Sequence, residues 1–515
     1  MVLNKYMYAE GLTETSSALL TGSANDVTEQ SNHAERSRVT RQPIALLGVA
    51  FDNLTLREAV SRIEEMIASP RSHYVVTANM DFLAQARRDL ELQHILLNAH
   101  LVLCDGTPLV WASRLFGNPL PERVAGADVV PELIRVAAEK KYRLFFLGAT
   151  EEANTQAIAR LRAQFPDLEI SHYSPPFRPL HEMDDAEIIR RVRAAKPDLL
   201  FVAFGCPKAE KWLATHYPEL GVPVAIGVGA TIDFLAGRVK RAPPWMQRGG
   251  VEWIYRLCQE PRRLFKRYAT DLWFFGGAMV RQCWTMKCRF GGKRTQTRTA
   301  VIQSNGTWQR VEAANFLNKD SVERDAVLWK KIARADRDCL LELAETKLID
   351  STGAAALVHL KKQLRLAGRQ LILLSPAPAV QRVLKAMRLE QFFEVATDAL
   401  EARAVLKARA RERDAFMGDD STGLLVWLGE IPATNAEQVW QCTRAAIKRA
   451  HSTVESWIID LAAVRFMDGV GINYLLRAVE IARAHGIRLR FSDPSPPVRN
   501  VLRISKREYL LDQSA

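Results

Sequence analysis

Leu101-Val-Leu-Cys104 runs directly into Asp105-Gly106-Thr107-Pro108 and then into the helical pattern Leu109-Val-Trp-Ala-Ser-Arg114. A short apolar run reads as a buried strand, Asp-Gly as the turn that ends it, and an early Pro as the first turn of a helix. The same order recurs on either side. Apolar runs at Ile44 to Val49, Tyr74 to Thr77, Arg143 to Leu147, Leu199 to Ala203 and Val224 to Val228 are separated by amphipathic helical stretches. Four of them close in Thr77-Ala78-Asn79, Gly148-Ala149-Thr150, Gly205-Cys206-Pro207 and Gly227-Val228-Gly229. This alternation predicts an α/β domain over residues 43–237, with ligand-binding groups at the C-terminal ends of its strands.

That domain accounts for less than half of a chain of 515 residues, so a single small module is excluded. Hydrophobic residues at 48% and charged residues at 25% exclude wholesale disorder and a polytopic membrane protein. Residues 1–42 are polar enough to be expected as a disordered tail. They lack the basic, apolar and small-residue order of a secretory signal, and no apolar run reaches the ~18 to 20 residues needed to span a bilayer. Seven scattered cysteines, outside any paired-ligand spacing, suggest neither a disulfide framework nor a zinc site and fit a reducing cytoplasm. The net charge of +13 favours anionic partners.

The charge excess concentrates in residues 238–298, where fifteen basic residues face only Glu252, Glu260 and Asp271, with Trp245, Trp253, Trp273 and Trp284 between them. Such a composition suits an interfacial segment on an anionic membrane. Beyond it the chain repeats itself. Leu341-Glu-Leu343, Asp350-Ser-Thr-Gly353, Gly368, Pro376 and Val383-Leu384 match Ile459-Asp-Leu461, Asp468-Gly-Val-Gly471, Gly486, Pro494 and Val501-Leu502 at a constant offset of 468 − 350 = 118. Two small α/β modules are expected, over 299–403 and 421–515, joined by a charged linker over 404–420.

The chemistry is sought at the strand tips. Asp105 is placed to act as a general base, although Asp before Gly is also an ordinary turn or cap. Thr77, Asn79 and Asp81 form a second polar tip, with helix capping as the plain alternative. Gly227-Val-Gly229-Ala-Thr231-Ile-Asp233 lets backbone N–H groups approach a diphosphate, though it lacks the full dinucleotide or P-loop spacing. Gly205-Cys-Pro207-Lys208 sets a cation beside another tight turn, and Arg123 lies in Glu122-Arg-Val-Ala-Gly126-Ala-Asp128. Asp184-Asp185 opens a helix and reads as a cap, and no Asp-x-Asp stands at a strand end to hold a metal.

Taken together, Thr77-Ala-Asn-Met-Asp81, Asp105-Gly-Thr-Pro-Leu-Val-Trp-Ala-Ser-Arg114, Pro121-Glu-Arg-Val-Ala-Gly-Ala-Asp128, Gly205-Cys-Pro-Lys-Ala-Glu-Lys-Trp212 and the run from Gly227 to Pro243 resemble the WecG/TagA/CpsF glycosyltransferases. The resemblance extends through Glu252-Trp-Ile-Tyr-Arg-Leu-Cys-Gln-Glu-Pro-Arg-Arg263, covering about residues 43–270. It implies a Rossmann-like sheet-and-helix domain with a basic helical appendage. It also implies an inverting transfer, without metal or cofactor, of a sugar from a UDP-sugar to a polyprenyl-diphosphate-linked sugar in surface or exported polysaccharide biosynthesis. The implied location is the inner face of the cytoplasmic membrane, with peripheral attachment. By the same resemblance Asp105 is the catalytic base, Thr77 and Asn79 line the pocket, and Arg256, Arg262 and Arg263 belong to the part that meets the membrane and closes over the nucleotide. Substrate contacts are expected from Arg123, Gly126, Asp128, Gly148, Gly205, Pro207, Lys208, Glu210, Gly227, Gly229, Thr231 and Asp233. One departure stands out: Pro207-Lys208-Ala209-Glu210 has Ala where the family pattern has Gln.

The repeat is similar to STAS domains, so Ser351 or Thr352 is a candidate phosphosite for a partner kinase or other regulatory protein, with a helix N-cap role as the alternative. The second copy has Gly469-Val470 there and cannot be the same switch. A rival expectation is a degenerate regulatory scaffold acting through the STAS-like pair. Nucleic acid is not an expected partner, since no helix-turn-helix, zinc-finger or RNP signature is present; self-association stays open.

Overall fold

A computed structural model describes residues 41–512 apart from 240, 250, 260, 288–297, 305, 415–417, 420–423, 428, 432–438, 441–442, 445–446, 448–455 and 506. The tail expected over 1–42 lies almost wholly outside the described residues.

The first run, Ile44 to Val49, is not a strand of the main sheet. Leu47 and Gly48 both take positive φ (50° and 91°), which folds the run into an antiparallel hairpin of β1 (Ile44–Leu46) and β2 (Val49–Phe51). The remaining runs form β3 (His73–Ala78), β4 (Leu101–Cys104), β5 (Leu144–Gly148), β7 (Leu199–Ala203) and β8 (Val224–Gly227). A further strand, β6 (Ile170–Tyr173), joins the edge beside β5. Only Ile170 of β6 is buried, so it gives no apolar run to read. The six strands are parallel in the order β4-β3-β8-β7-β5-β6.

Alternation along the strands builds two cores. Leu144, Phe146, Leu199 and Phe201 face one cluster, while Phe145, Leu147, Leu200 and Val202 face another. A parallel sheet covered on both faces accounts for strands that are apolar throughout. The chain leaves β5 towards β6 but leaves β7 towards β8, so its direction reverses between these neighbours, where open α/β sheets bind ligands at their carboxyl ends.

After β8 come the short helices Thr231–Ala236, Pro244–Arg248 and Glu252–Gln259 and then the long basic helix Pro261–Lys287. The basic helix turns Phe275, Met279, Gln282 and Met286 inward and leaves Trp273, Val280 and Trp284 exposed. Among the described residues no helix is long and apolar enough to cross a membrane.

The repeat is real in three dimensions. The first module has β9 (Ala300–Ser304), β10 (Trp308–Glu312), β11 (Phe316–Leu317), β12 (Asp338–Glu342), β13 (Leu348–Ile349), β14 (Leu371–Leu374) and β15 (Glu394–Ala396). The second has β16 (Gly418–Asp419), β17 (Leu424–Val426), β18 (Gly429–Ile431), β19 (Ser456–Asp460), β20 (Val464–Met467) and β21 (Arg488–Ser492). The parallel trio β10-β12-β14 corresponds to β17-β19-β21, and the pair β11-β13 to β18-β20. The helix Ser351–Leu366 in one and Gly469–Ala484 in the other follows the repeated Asp. The charged stretch expected as a linker is helical over Ala399–Asp414, because Ala402, Val405 and Leu406 cover Leu340, Ile372 and Leu374 of the first module's sheet.

Candidate active site

The tips of β3, β4 and β8 bring together residues far apart in the chain. Asp105 follows β4, and its backbone N–H donates to Ala78 O at 2.9 Å, which holds the β4 tip against the end of β3. Gly106 packs close to Asn79: a Cβ built on it would stand 3.8 Å from Asn79 Cα. The Thr77 hydroxyl donates to Gly227 O at 3.3 Å, which ties β3 to the glycine turn after β8. Gly126 opens the helix Gly126–Lys140 against this point, where an added Cβ would lie 3.4 Å from Thr77 Oγ1 and 3.5 Å from Thr231 Oγ1. Asn79 does what its plain alternative required, since its Oδ1 accepts from Asp81 N–H (3.0 Å) and Phe82 N–H (3.3 Å) at the start of helix Met80–Ala86. Thr231 Oγ1 donates to Val228 O at 2.7 Å and so pins the turn it belongs to.

Arg123 completes this group from the side. Its guanidinium binds Asp128 Oδ2 at 3.0 Å and Glu252 Oε2 at 2.7 Å. Burial would lower its pKa, yet the charges of Asp105, Asp128 and Glu252 carry it above the ordinary value, which places Arg123 in the field of Asp105. Asp128 spends its other oxygen on Arg241 at 2.7 Å, and Arg241 also approaches Glu252 at 3.5 Å. The result is a four-membered ion network that fastens helix Glu252–Gln259 to the sheet edge. Asp128 is therefore a positioning residue whose oxygens are already engaged. The sequence alone does not single out Arg241 and Glu252 as site residues; the available signal is Glu252, one of only three acids in the basic segment.

The other tips are open or closed in different ways. Gly205 (φ 79°) and Gly229 (φ 52°) have nothing within 4 Å of an added Cβ, so backbone there faces free space. Gly148 is crowded, with Ala203 backbone 2.9 Å from such a Cβ. Pro207 precedes helix Lys208–His216, and Lys208 leans over the rings of Phe177 (5.2 Å) and Phe204 (5.3 Å) while donating to Arg178 O. Ala209 is buried among Trp212 and Leu213. Glu210 is buried beneath Gly227, and burial pushes its carboxyl up to about 7 against the hydrogen bonds of its own backbone and Cys206. Asp233 lies in the first turn of helix Thr231–Ala236. Arg256 falls one turn beyond Glu252 on its helix, while Arg262 and Arg263 open the basic helix. Arg262 lines a surface cavity of about 560 Å³ with Leu257, Cys258, Pro261 and Phe265.

The sequence over residues 44–289 matches the model of the glycosyl transferase WecG/TagA/CpsF family, and residues 311–402 and 418–509 each match the STAS domain. The N-acetylglucosaminyldiphosphoundecaprenol N-acetyl-beta-D-mannosaminyltransferases of Staphylococcus aureus strains MW2 and MRSA252 are each 31% identical over 232 residues, covering 45% of this chain and 89% of theirs. The chain belongs to the WecG/TagA/CpsF glycosyltransferase family. It is a glycosyltransferase carrying two STAS domains, and the strand-tip cluster lies within the part that defines the family.

In the first STAS domain the two candidate phosphosites are closed off. Ser351 and Thr352 are both 0% exposed, so neither hydroxyl is an accessible phosphosite in this structure. Asp350 caps the helix, accepting from Thr352 N–H and Gly353 N–H at 2.8 Å each, and the two hydroxyls are covered by side chains of the transferase.

Proposed function

We propose that this glycosyltransferase moves a sugar from a UDP-sugar to a polyprenyl-diphosphate-linked sugar, with inversion and without a metal or cofactor. The step takes place at the inner face of the cytoplasmic membrane, in the assembly of a surface or exported polysaccharide. The carrying observation is the convergence of Asp105, Thr77, Gly126 and the Gly227 turn at neighbouring strand ends, with Arg123, ion-paired to Asp128 and Glu252, in the field of the carboxylate.

In this reading the acceptor hydroxyl attacks the anomeric carbon while Asp105 removes its proton. The new C–O bond forms as the bond to UDP breaks, and UDP leaves with the electron pair. Open backbone at Gly205 and Gly229, together with appendage arginines such as Arg256, Arg262 and Arg263, offers donors for the diphosphate charge. The exposed Trp245, Trp273 and Trp284 amid basic residues suit a membrane face that keeps the lipid acceptor near. The staphylococcal names point to an N-acetylated hexosamine donor and an N-acetylglucosaminyl-diphosphate lipid acceptor as the first pair to try.

The test is UDP release and product formation by the full chain across a UDP-sugar panel with a polyprenyl-diphosphate sugar. Asp105→Asn is expected to lower turnover by about 10²- to 10⁴-fold. Turnover equal to the parent would remove Asp105 from the role of base.

A further inference from the structure

Both STAS domains present the same feature to the transferase: the helix start that follows the repeated Asp. In the first, Gln282 of the basic helix donates to Ser351 Oγ at 3.1 Å, and the same amide accepts from Leu47 N–H (2.9 Å) and donates to Ala45 O (3.1 Å) in the β1–β2 hairpin. Asn118 donates to Thr352 Oγ1 at 3.1 Å and to the carbonyls of Gln42 (3.0 Å) and Pro43 (3.2 Å). All four side chains are buried. Lys362 on the same STAS helix reaches Ala99 O at 2.6 Å, Gln93 reaches Arg388 O at 3.2 Å, and Ala45, Ala50 and Leu97 join the apolar core of the STAS domain. In the second, Gly469 N–H donates to Glu91 Oε1 at 3.2 Å. A Cβ on Gly469 would meet Thr215 Oγ1 at 3.3 Å and Glu91 Oε1 at 3.4 Å, so Gly gives the closest approach.

The basic helix is held on both sides. It packs against helix Pro378–Ala386 of the first STAS domain and against helix Met80–Ala86, whose N-cap is Asn79 at the active-site edge. A shift of the STAS domain therefore has a physical route, through one continuous helix, to a strand tip of the site.

We propose that the transferase is itself the partner of these helix starts, and that the first STAS domain is a brace holding the basic helix in register with the Asn79 tip. The surface that a free-standing module would offer to another protein is closed in cis. Any external partner must compete with Asn118 and Gln282 for it.

Hydrogen exchange on the full chain tests the docking without any substrate, so its outcome is separate from that of the proposed transfer reaction. Thr352→Glu sets a charge and extra volume in a filled, buried contact, while the double change Asn118→Ala and Gln282→Ala removes the transferase's side of it. Both are expected to raise exchange by about tenfold or more at Leu47 and over 351–354, leaving β12, β14 and β3 to β8 protected. The brace further requires that transfer by the same variants falls about fivefold or more. Unchanged exchange, or loss that spreads to β12 and β14, overturns the docking; undocking with transfer at the parental rate overturns the brace.

Discussion

Glu210 shows how a single acid is built into the site floor. It is 3% exposed, its Oε2 has no hydrogen-bond partner, and a Cβ on Gly227 would stand 2.7 Å from its Oε1. Gly227 is thus needed for space rather than for φ, and Gly227→Ala is expected to cost about 1–3 kcal/mol in chemical denaturation through overpacking. Burial places the folded carboxyl at about 7, above its ordinary 4.5. A raised carboxyl contributes stability that is complete below 4.5 and is lost as pH rises through about 7, because the fold must then hold an uncompensated charge. Glu210→Gln keeps the shape and removes the titration. Its stability relative to the parent should rise between pH 5 and 8, by roughly 3 kcal/mol at most, and parallel curves for the two proteins would contradict the assignment.

Among the elements, the helix Glu252–Gln259 depends on a contact that no local pattern announces. Glu252 is shared by Arg123 and Arg241, residues 129 and 11 positions away. Against the upward push of burial, the Arg123 and Arg241 cations hold its carboxyl below the ordinary 4.5. Its stabilisation is therefore present above 4.5 and lost as pH falls through that lowered value. Glu252→Gln leaves two partly buried guanidinium groups short of an acceptor. It should cost about 1–3 kcal/mol near neutral pH, speed exchange in that helix, and shrink the acid-side loss. On the next helix, Trp273 and Trp284 are 87% and 73% exposed, so Trp273→Ala with Trp284→Ala should leave the melting temperature alone while weakening binding to anionic vesicles by about tenfold or more. The sequence made five of the six sheet strands legible because each main-sheet apolar run ended in a turn that only a strand tip needs. It hid β6, whose alternation is half solvent-facing, and it hid Arg241, because a partner more than a hundred residues away leaves no mark in periodicity. The sequence left Ser351 and Thr352 open between a phosphosite and a cap for the same reason: their polar neighbours Gln282 and Asn118 are distant in the chain, and a hydroxyl buried by a remote amide carries no local sign of it.

At the scale of the whole molecule, the two STAS domains and the transferase form one folded unit, and a charged tie makes part of that union depend on pH. Tyr74, Val76 and Leu83 of the transferase share a continuous apolar cluster with Trp427, Trp457 and Leu475 of the second STAS domain. Beside it, Arg477 of that domain binds Glu219 of the transferase at 2.8 Å, and Glu219 in turn binds the buried His216 at 2.6 Å. Burial would favour neutral His216, but Asp185 and Glu219 raise its pKa above 6.5 and so favour the charged form. Burial also pushes Glu219 up, yet His216 and Arg477 bring it to about 2. The two signs define a window. The histidine's share is complete below 6.5 and is lost as pH rises through its raised value, while the glutamate's share is complete above 4.5 and is lost only as pH falls towards 2. Both act fully between pH 4.5 and 6.5, so protection of helix Gly469–Ala484 in hydrogen exchange, corrected for the intrinsic rate, should be greatest there and decline on the alkaline side. His216→Gln should flatten that alkaline decline, and Arg477→Met should lower protection in the second STAS domain wherever Glu219 is ionised, without moving the first. An alkaline decline that persists undiminished in His216→Gln would assign it to another group and leave the tie without its switch.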